Sequence, residues 1–562
     1  MSTHVHVGVN HAGVVPHAVH AHAIMHVVIV LTALVTEFEE RLVREVAALA
    51  HVGQVTVCVV EPRTGLIARA ALWRARVERA VARAKLHRVT PSALAACANA
   101  TTPVAIHAVS RRHAHADIAS LAPTAVLNLS GSAIAAATPD TYELWWDAVQ
   151  PQGLGIAHAW SVPPHEITVT RLDPVSHIRR VVERSVLTRT PGNEAADRQN
   201  AASRSLALIV RVLSRAFAEN ASNVSDARAE VPETDTGMAD AAAPSAGFGP
   251  DVRAALGGVL RAAVAAATSV LSAIGRRASR PFWRVDAWEL RYRTNTTAFV
   301  ANQASITADG FRAYRAPFDT FYADPIAFAH NGIDAVFMEE YPYALGRGVI
   351  SCAVLGDDGA LGAPREIMRQ SYHLSYPFVF SAGERVYMIP ESSGSRTVEL
   401  YECDGFPYAW HHKRTLLTHI SITDATLHFD GSLWWMFATV GEQGSYAWDE
   451  LHLFMADAPD GDWMAHPRNP VKCDAASARP AGPLFRRGDQ LMRPAQDCSE
   501  SYGGAVNLCR VDVLSPTDFR ETVVGRVPPS LFDGMNGLHT LTATNRLEVV
   551  DVRPRRRFRV GG

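Results

Sequence analysis

Five times between Trp283 and the C-terminus the chain repeats one phrase: an apolar strand, a turn carrying Gly or Asp, and a second strand rich in aromatic residues. The phrase reads "YADPIAFAHNGIDAVFMEE", "SYPFVFSAGERVYMIPE", "TDATLHFDGSLWWMFAT" and "ARPAGPLFRRGDQLMRPAQ", and in shortened form "GLHTLTATNRLEVVDV". Repeated short strands without helical spacing must either expose edges or close on themselves, and radial repetition is a standard closure. The pattern therefore predicts an all-β five-bladed propeller over residues 281–562. Each first strand also carries a polar residue where an apolar one would serve packing better: Asp324, Tyr376, Asp424, Arg479 and His539. The first strand of a blade lines the axis and its N-terminal end faces one mouth, so these five residues are expected to form a ring in a polar funnel.

At 562 residues the chain exceeds what one core comfortably serves, so a second domain is expected. Lys and Arg number 54 against 56 Asp and Glu, a formal charge of −2, which gives no electrostatic reason to expect nucleic acid. The seven cysteines are odd in number, scattered and without a CxxC pair, which argues against a disulfide framework or a structural zinc site. Residues 1–24 are rich in His, Val and Ala and lack the layout of a secretory signal. They read as a disordered extension, and the expected location is cytoplasmic.

From Met25, "MHVVIVLTALVTEFEERLVREVAALAHVGQVTVCVV" reads strand, helix, strand, the opening of an α/β domain of Rossmann type placed over residues 25–218. No glycine-rich turn follows its first strand, so a dinucleotide fingerprint is absent. Residues 219–250 have linker composition, and 251–280 set apolar residues at helical steps. Arg261 leaves too short an apolar run for the roughly 20 residues of a spanning helix. With Arg276, Arg277 and Arg280 behind it, that helix would lie on a membrane surface or pack on a neighbouring domain. The segment "NLSGS" at Asn128, with "VTRLD" downstream, faintly resembles the formyltransferase family. Ser130 stands where the family has histidine, and His158 and His165 are the nearest substitutes for the proton acceptor that formyl transfer needs.

Over most of residues 283–552 the motifs "YADPIAF", "MEEYPY", "YHLSYPFVF", "YMIPESSG", "ITDATLHFDGSLWWMFA", "RPAQDCSESYGGAV" and "GLHT" resemble the N-terminal region of the plant glucosamine inositolphosphorylceramide transferases and its bacterial relatives. The glycosyltransferase module of the plant proteins is a separate C-terminal domain, so the resemblance does not carry that activity over. The region is similar in fold to five-bladed glycoside hydrolases such as arabinanases and xylosidases, which use three carboxyl groups. The resemblance implies Asp324 as base or nucleophile, Asp424 as orienting carboxylate, and Glu340 or Glu391 as the acid that protonates the leaving oxygen. It also implies His539 beside an axial calcium ion or water. Asp497 is a further carboxyl near the mouth, Tyr341 and Tyr376 are placed to stack on a sugar, and Arg479 and Arg493 would suit an anionic one. The expected partner is thus a sugar, nucleotide sugar or glycoconjugate, in a carbohydrate-active protein of glycan or glycoconjugate biosynthesis. Two other readings stay open: a non-catalytic propeller scaffold for protein partners, and a residual formyltransferase acting on an amino sugar.

Overall fold

The computed structural model describes residues 25–32, 37–49, 52–60, 104–109, 118, 121, 123, 125–129, 141–147, 164–172, 178–188, 194–222, 283–284, 288–294, 307–441, 446–554 and 558–559. The expected His-rich extension, nearly all of the linker, the helix over 251–280, Ser130 and His158 lie outside the described residues. No described helix is long and apolar enough to cross a membrane.

The N-terminal domain is a mixed sheet with two described helices. Its strands are β1 (Met25–Thr32), β2 (Val52–Val60), β3 (Val104–Val109), β4 (Ala125–Asn128), β5 (Thr141–Trp146), β6 (Glu166–Leu172) and β7 (Arg179–Val186), in the order β3-β2-β1-β4-β5-β6-β7. Strands β1 to β5 pair in parallel, whereas β6 and β7 are antiparallel additions. Central β1 is buried on both faces from Val27 to Leu31, which is why its sequence is a continuous apolar run rather than an alternation. Helices α1 (Glu37–Ala47) and α2 (Glu194–Ser222) contact each other, and α2 also contacts β6 and β7.

Helix α2 explains how the two domains meet. Leu206, Ile209, Leu213 and Phe217 join the core of the sheet, while Asp197, Asn200, Arg204 and Arg211 recur at helical steps and are all buried. Each of these polar residues has a partner on the propeller. Asp197 accepts from the Tyr446 hydroxyl at 2.7 Å, and Asn200 accepts from the Tyr446 backbone N–H at 2.9 Å and donates to Asp449 at 3.0 Å. Arg204 pairs with Asp449 and Glu450 and donates to the Tyr446 carbonyl; Arg211 donates to the Cys473 sulfur at 2.7 Å. Buried charge is tolerated only when paired and hydrogen-bonded, so α2 and the propeller are built for each other.

The C-terminal region is a five-bladed β-propeller, as expected. Strand β8 (Trp283–Arg284) stands apart from the blades, and β9 (Glu289–Thr294) and β10 (Arg312–Tyr314) precede the first complete blade. Blade one is β11 (Thr320–His330), β12 (Ile333–Pro342), β13 (Val349–Val354) and β14 (Arg365–Met368); blade two is β15 (Ser375–Ala382), β16 (Arg385–Glu391), β17 (Thr397–Gly405) and β18 (Ala409–Thr418). Blade three is β19 (Ile422–Phe429), β20 (Trp434–Val440), β21 (Glu450–Ala456) and β22 (Met464–Ala465), with β23 (Lys472–Cys473) also on β21. Blade four is β24 (Phe485–Arg487), β25 (Gln490–Asp497), β26 (Ala505–Leu514) and β27 (Phe519–Val527). The remaining strands are β28 (Met535–Gly537), β29 (Leu541–Ala543), β30 (Leu547–Pro554) and β31 (Phe558–Arg559), the last paired with β8.

The shortness of the fifth phrase now has its reason. Strand β30 pairs with β29 on one side and with β9 on the other, and β9 pairs with β10. The two ends of the propeller sequence thus share one blade, which fastens the ring by backbone hydrogen bonds.

Blades four and five meet closely at Gly482. Its φ is +131°, and a Cβ built there would lie 2.1 Å from the Leu541 carbonyl oxygen. Gly482→Ala is expected to cost about 3 kcal/mol or more through this backbone clash. Gly394→Ala, whose nearest neighbour is a side-chain carbon at 3.6 Å, is expected to stay within about 0.5 kcal/mol. Denaturant unfolding of the full chain measures both.

Candidate functional site

The inner strands of the first three blades share one local device. Their register with the neighbouring strand slips between Ala323 and Ile326, between Ser375 and Phe378, and between Thr423 and Thr426. At the slip, Asp324, Tyr376 and Asp424 take φ values of +50°, +39° and +52°. Bulges re-aim side chains, and left-handed non-glycine residues are strained unless the surroundings hold them. Asp324 is therefore the fifth residue of β11 and not its opening one: the bulge, rather than the strand end, delivers the carboxyl inward.

Blade three meets blade four through Asp424. Its carboxylate accepts from Arg479 Nε at 2.5 Å and Nη2 at 3.1 Å, and from Gln496 Nε2 at 2.8 Å. Blade two joins through Tyr376, whose hydroxyl lies 2.8 Å from Thr426 Oγ1 and accepts the Gly482 N–H at 2.9 Å. Blade five meets blade one through Asp551, which accepts backbone N–H groups from Asp324, His539 and Thr540 at 2.8–3.1 Å. Asp551 also lies 2.5 Å from His539 Nδ1, while Nε2 of the same ring is 3.7 Å from Asp324. Four of the five polar residues of the repeat are thus tied into two pairs, Asp424 with Arg479 and Asp324 with His539, with Tyr376 bonded to the segment that carries Arg479.

Of the other expected site residues, Glu391 is in the site, whereas Glu340, Arg493 and Asp497 are not. Glu391 lies 3.6 Å from Arg479, with its Oε2 buried and without a hydrogen-bond partner. Glu340 turns to the opposite side of β12, where it accepts from Ser351 at 2.5 Å. Its neighbour Glu339 is the inward one, buried and 3.5 Å from His373. Alternation along a strand sends one of two adjacent glutamates to each face, and "MEEYP" does not say which. Arg493 is inside blade four, bonded to Glu521 and to the carbonyls of Ser477 and Ala478, and supplies no ligand arm. Asp497 is turned to Ser499 and Arg526. Tyr341 stacks on Phe321 at 4.8 Å between ring centroids and belongs to an aromatic cluster with Trp288, Tyr343 and Tyr502. In the N-terminal domain Asn128 is fully buried at the end of β4, and the His165 N–H is bonded to Asp147.

Reading by repeat position missed Glu339, Asp551, Gln496 and Tyr502. Asp551 had a usable signal: it breaks the apolar run "LEVVDV" as Asp324 breaks "FYADPIAF".

The electrostatics are one-sided. Asp324, Glu339, Glu391, Asp424 and Asp551 feel one another's charge, against Arg479 and His539. Burial pushes Asp324 up to about 6 and Asp424 up to about 7, the latter against the pull of Arg479. Burial, then the fields of Asp324 and Glu391, push Glu339 well above the usual carboxyl range. Burial disfavours the His539 imidazolium, but Asp551 and Asp324 more than offset that and raise it. Such a cluster holds protons near neutrality or takes up a cation. Asp324, His539 and Asp551 could hold a metal ion, since each offers a ligand atom within 4.8 Å of the others.

Known proteins resemble the part of the chain that carries this site. Residues 280–548 match the family model "Glucosamine inositolphosphorylceramide transferase 1, N-terminal". The chain is 33% identical over 208 residues to glucosamine inositolphosphorylceramide transferase 1 of Oryza sativa subsp. japonica, covering 36% of this chain and 28% of that protein. It is 29% identical over 236 residues to the Arabidopsis thaliana protein of the same name, covering 42% of this chain and 31% of that one. The chain therefore spans less than a third of the length of these relatives. Among solved structures, a family 117 glycoside hydrolase of Zobellia galactanivorans aligns at 11% identity, covering 47% of this chain and 90% of its own, with a TM-score of 0.32.

The raised values fix a pH dependence. Folding favours the protonated forms of Asp324, Asp424 and His539, so the stability they contribute is full below their ordinary values and is lost as pH rises through the folded ones. Between pH 5 and pH 8 the full chain should lose on the order of a few kcal/mol from these groups. Glu450 and Glu521, held down at about 2, stay ionised across that window, whereas burial lowers His373, His428 and His466, whose loss of charge as pH rises offsets part of the effect. Urea midpoints at the two pH values measure the loss, and Asp324→Asn should reduce it.

Proposed function

We propose that the propeller binds a sugar in its axial funnel and acts on a glycosidic bond there, within the assembly of a glycan or glycoconjugate. The supporting observation is the pair Asp324 and Asp424: equivalent bulge residues of two blades, both buried, with proton affinities moved toward neutrality and with different partners, His539 beside the first and Arg479 on the second. Chemistry at a glycosidic bond needs carboxyls in different protonation states, and unlike environments provide them. Asp324, hydrogen-bonded by Thr540 at 3.2 Å and beside His539, takes the role of base or nucleophile. Asp424, locked by Arg479 and Gln496, orients. Glu339 replaces Glu340 beside Glu391 as a source of the proton.

The ligand is a neutral or amino sugar rather than an anionic one. Arg479 and Arg493, which favoured an anion, are both bonded to carboxylates, and the funnel's remaining charge is negative. The names of the plant relatives include glucosamine, which suits this polarity. Tyr341, Tyr343 and Tyr502, partly exposed in the aromatic cluster around the buried Trp288, supply apolar ring surface near the carboxyls, the combination that sugar rings bind.

Calcium in particular fits the triad poorly. It takes about six to eight oxygen ligands, whereas Asp551 is already engaged by three backbone N–H groups and His539 offers nitrogen. Millimolar calcium should leave the thermal midpoint of the full chain within about 1 °C, and a saturable rise absent with magnesium would reverse this reading.

The decisive experiment screens the full chain against neutral, amino and uronic glycosides and nucleotide sugars. Asp324→Asn should lower turnover of the accepted glycoside by about a hundredfold or more while leaving its affinity within about threefold. Undiminished turnover in that variant removes the mechanism, and binding confined to uronic acids removes the polarity argument.

A further inference from the structure

Thr188, two residues past β7, belongs to the N-terminal domain, yet its hydroxyl bonds to the propeller. It is buried and joins two loops: Oγ1 accepts from Trp448 Nε1 at 2.7 Å and donates to the Cys498 carbonyl at 2.8 Å. The adjacent backbone is stitched as well. Val186 bridges to Asp474, the Ala475 N–H donates to the Val186 carbonyl at 2.9 Å, and the Cys498 N–H donates to the Ala475 carbonyl at 2.8 Å.

Both clamped loops lead to the funnel. Trp448 stacks on Tyr446 at 4.3 Å, and α2 grips Tyr446 through Asp197 and Asn200. Trp448 also meets Tyr502 at 5.7 Å between ring centroids, and Tyr502 meets the His539 ring edge-to-face at 5.4 Å and has the Arg479 guanidinium carbon 5.1 Å from its centroid. Trp448 and Tyr502 remain partly exposed, although Thr188, Asp197 and Asn200 behind them are buried. Rigid, buried support behind a partly exposed aromatic pair is the construction of a binding wall, because the rings keep exposed apolar surface for a ligand while their orientation is held from the rear.

We propose that the N-terminal domain is a positioning element of the funnel: through Thr188, supported by Asp197 and Asn200, it sets the wall of Trp448 and Tyr502 against which a sugar ring packs beside Arg479 and His539. The ligand in this statement rests on the sugar reading above; the clamp on the wall does not. Occupancy of the funnel and docking of the N-terminal domain are then linked, each strengthening the other. Thr188 touches no reacting atom and acts through the rings.

The test uses the full chain and three variants: Thr188→Val removes the hydroxyl, Thr188→Ser keeps it, and Trp448→Phe removes only the indole donor and part of the ring. Hydrogen exchange of the Cys498 and Gly504 amides, bonded to Ala475 and Asp497 in the clamped loop, should accelerate about tenfold in Thr188→Val and Trp448→Phe and stay unchanged in Thr188→Ser. Affinity for methyl glucosaminide and methyl N-acetylglucosaminide, by calorimetry, should fall about tenfold in the same two variants and recover with serine. Unaltered exchange at these amides overturns the clamp. Faster exchange with full affinity overturns the positioning role. If the unmodified chain binds neither probe, the sugar ligand in the proposal falls while the exchange result still decides the wall. Should Thr188→Val raise exchange across the whole chain, as unfolding would, Trp448→Phe decides between these outcomes.

Discussion

Everything at the propeller axis depends on burying more negative than positive charge. Five carboxyl groups and two basic ones share a space from which water is largely removed. Ionising all of them together would be prohibitive, so the cluster must retain protons or admit a cation. Blade four shows the contrary arrangement. There burial would raise Glu521, but Arg493 and Lys472 hold it down to about 2, and the result is an inert brace. The same residue types yield structure where opposite charges balance and poised chemistry where they do not.

The bulges are what make that imbalance sustainable. An inner strand in regular register would alternate its side chains between the two faces of its blade, and Asp324, Tyr376 and Asp424 would fall among apolar neighbours. Slipping the register at one equivalent place in three blades brings all three to the axis, where each finds a partner from another blade. The strain of three left-handed residues is held by those cross-blade bonds. A single bulge could be a local accident; three at matching positions mark a feature of the repeat.

How legible this was in the sequence follows from the kind of information each element needs. The repeat and the polar residues embedded in it were readable because both are periodic along the chain: Asp324, Tyr376 and Asp424 stand out within apolar strands, whereas Arg479 and His539, expected in strands too, fall in the connections before β24 and β29 and still reach the axis. Facing was not readable for Glu339 against Glu340, since adjacent identical residues differ only in which side of β12 they take. Arg493 misled for a related reason: an arginine in a strand looks like a ligand arm until its partner Glu521, on the next strand but one, is seen. Helix α2 was not among the expected elements, and the docking of the two domains through it rests on Asp197, Asn200, Arg204 and Arg211. Those four were the missed signal, because a helix that is apolar on one face and regularly polar on another can bury both when two surfaces await it.

Ring closure places a further demand on the site. Blade five is made of β9 and β10 from the start of the propeller and β28, β29 and β30 from its end, and Asp551 lies on β30 where that closure occurs. Asp551 in turn fixes the backbone of Asp324 across the blade boundary. The carboxyl assigned as base is therefore held in its strained conformation only once the two ends of the propeller have paired. A partly closed ring would leave Asp324 free to relax and be hydrated, and its proton affinity would return toward that of an ordinary aspartate. In this architecture, completing the fold and tuning the site are one event, which is why Asp551, so unfavourable to a β-strand taken alone, can stand within the blade that closes the ring.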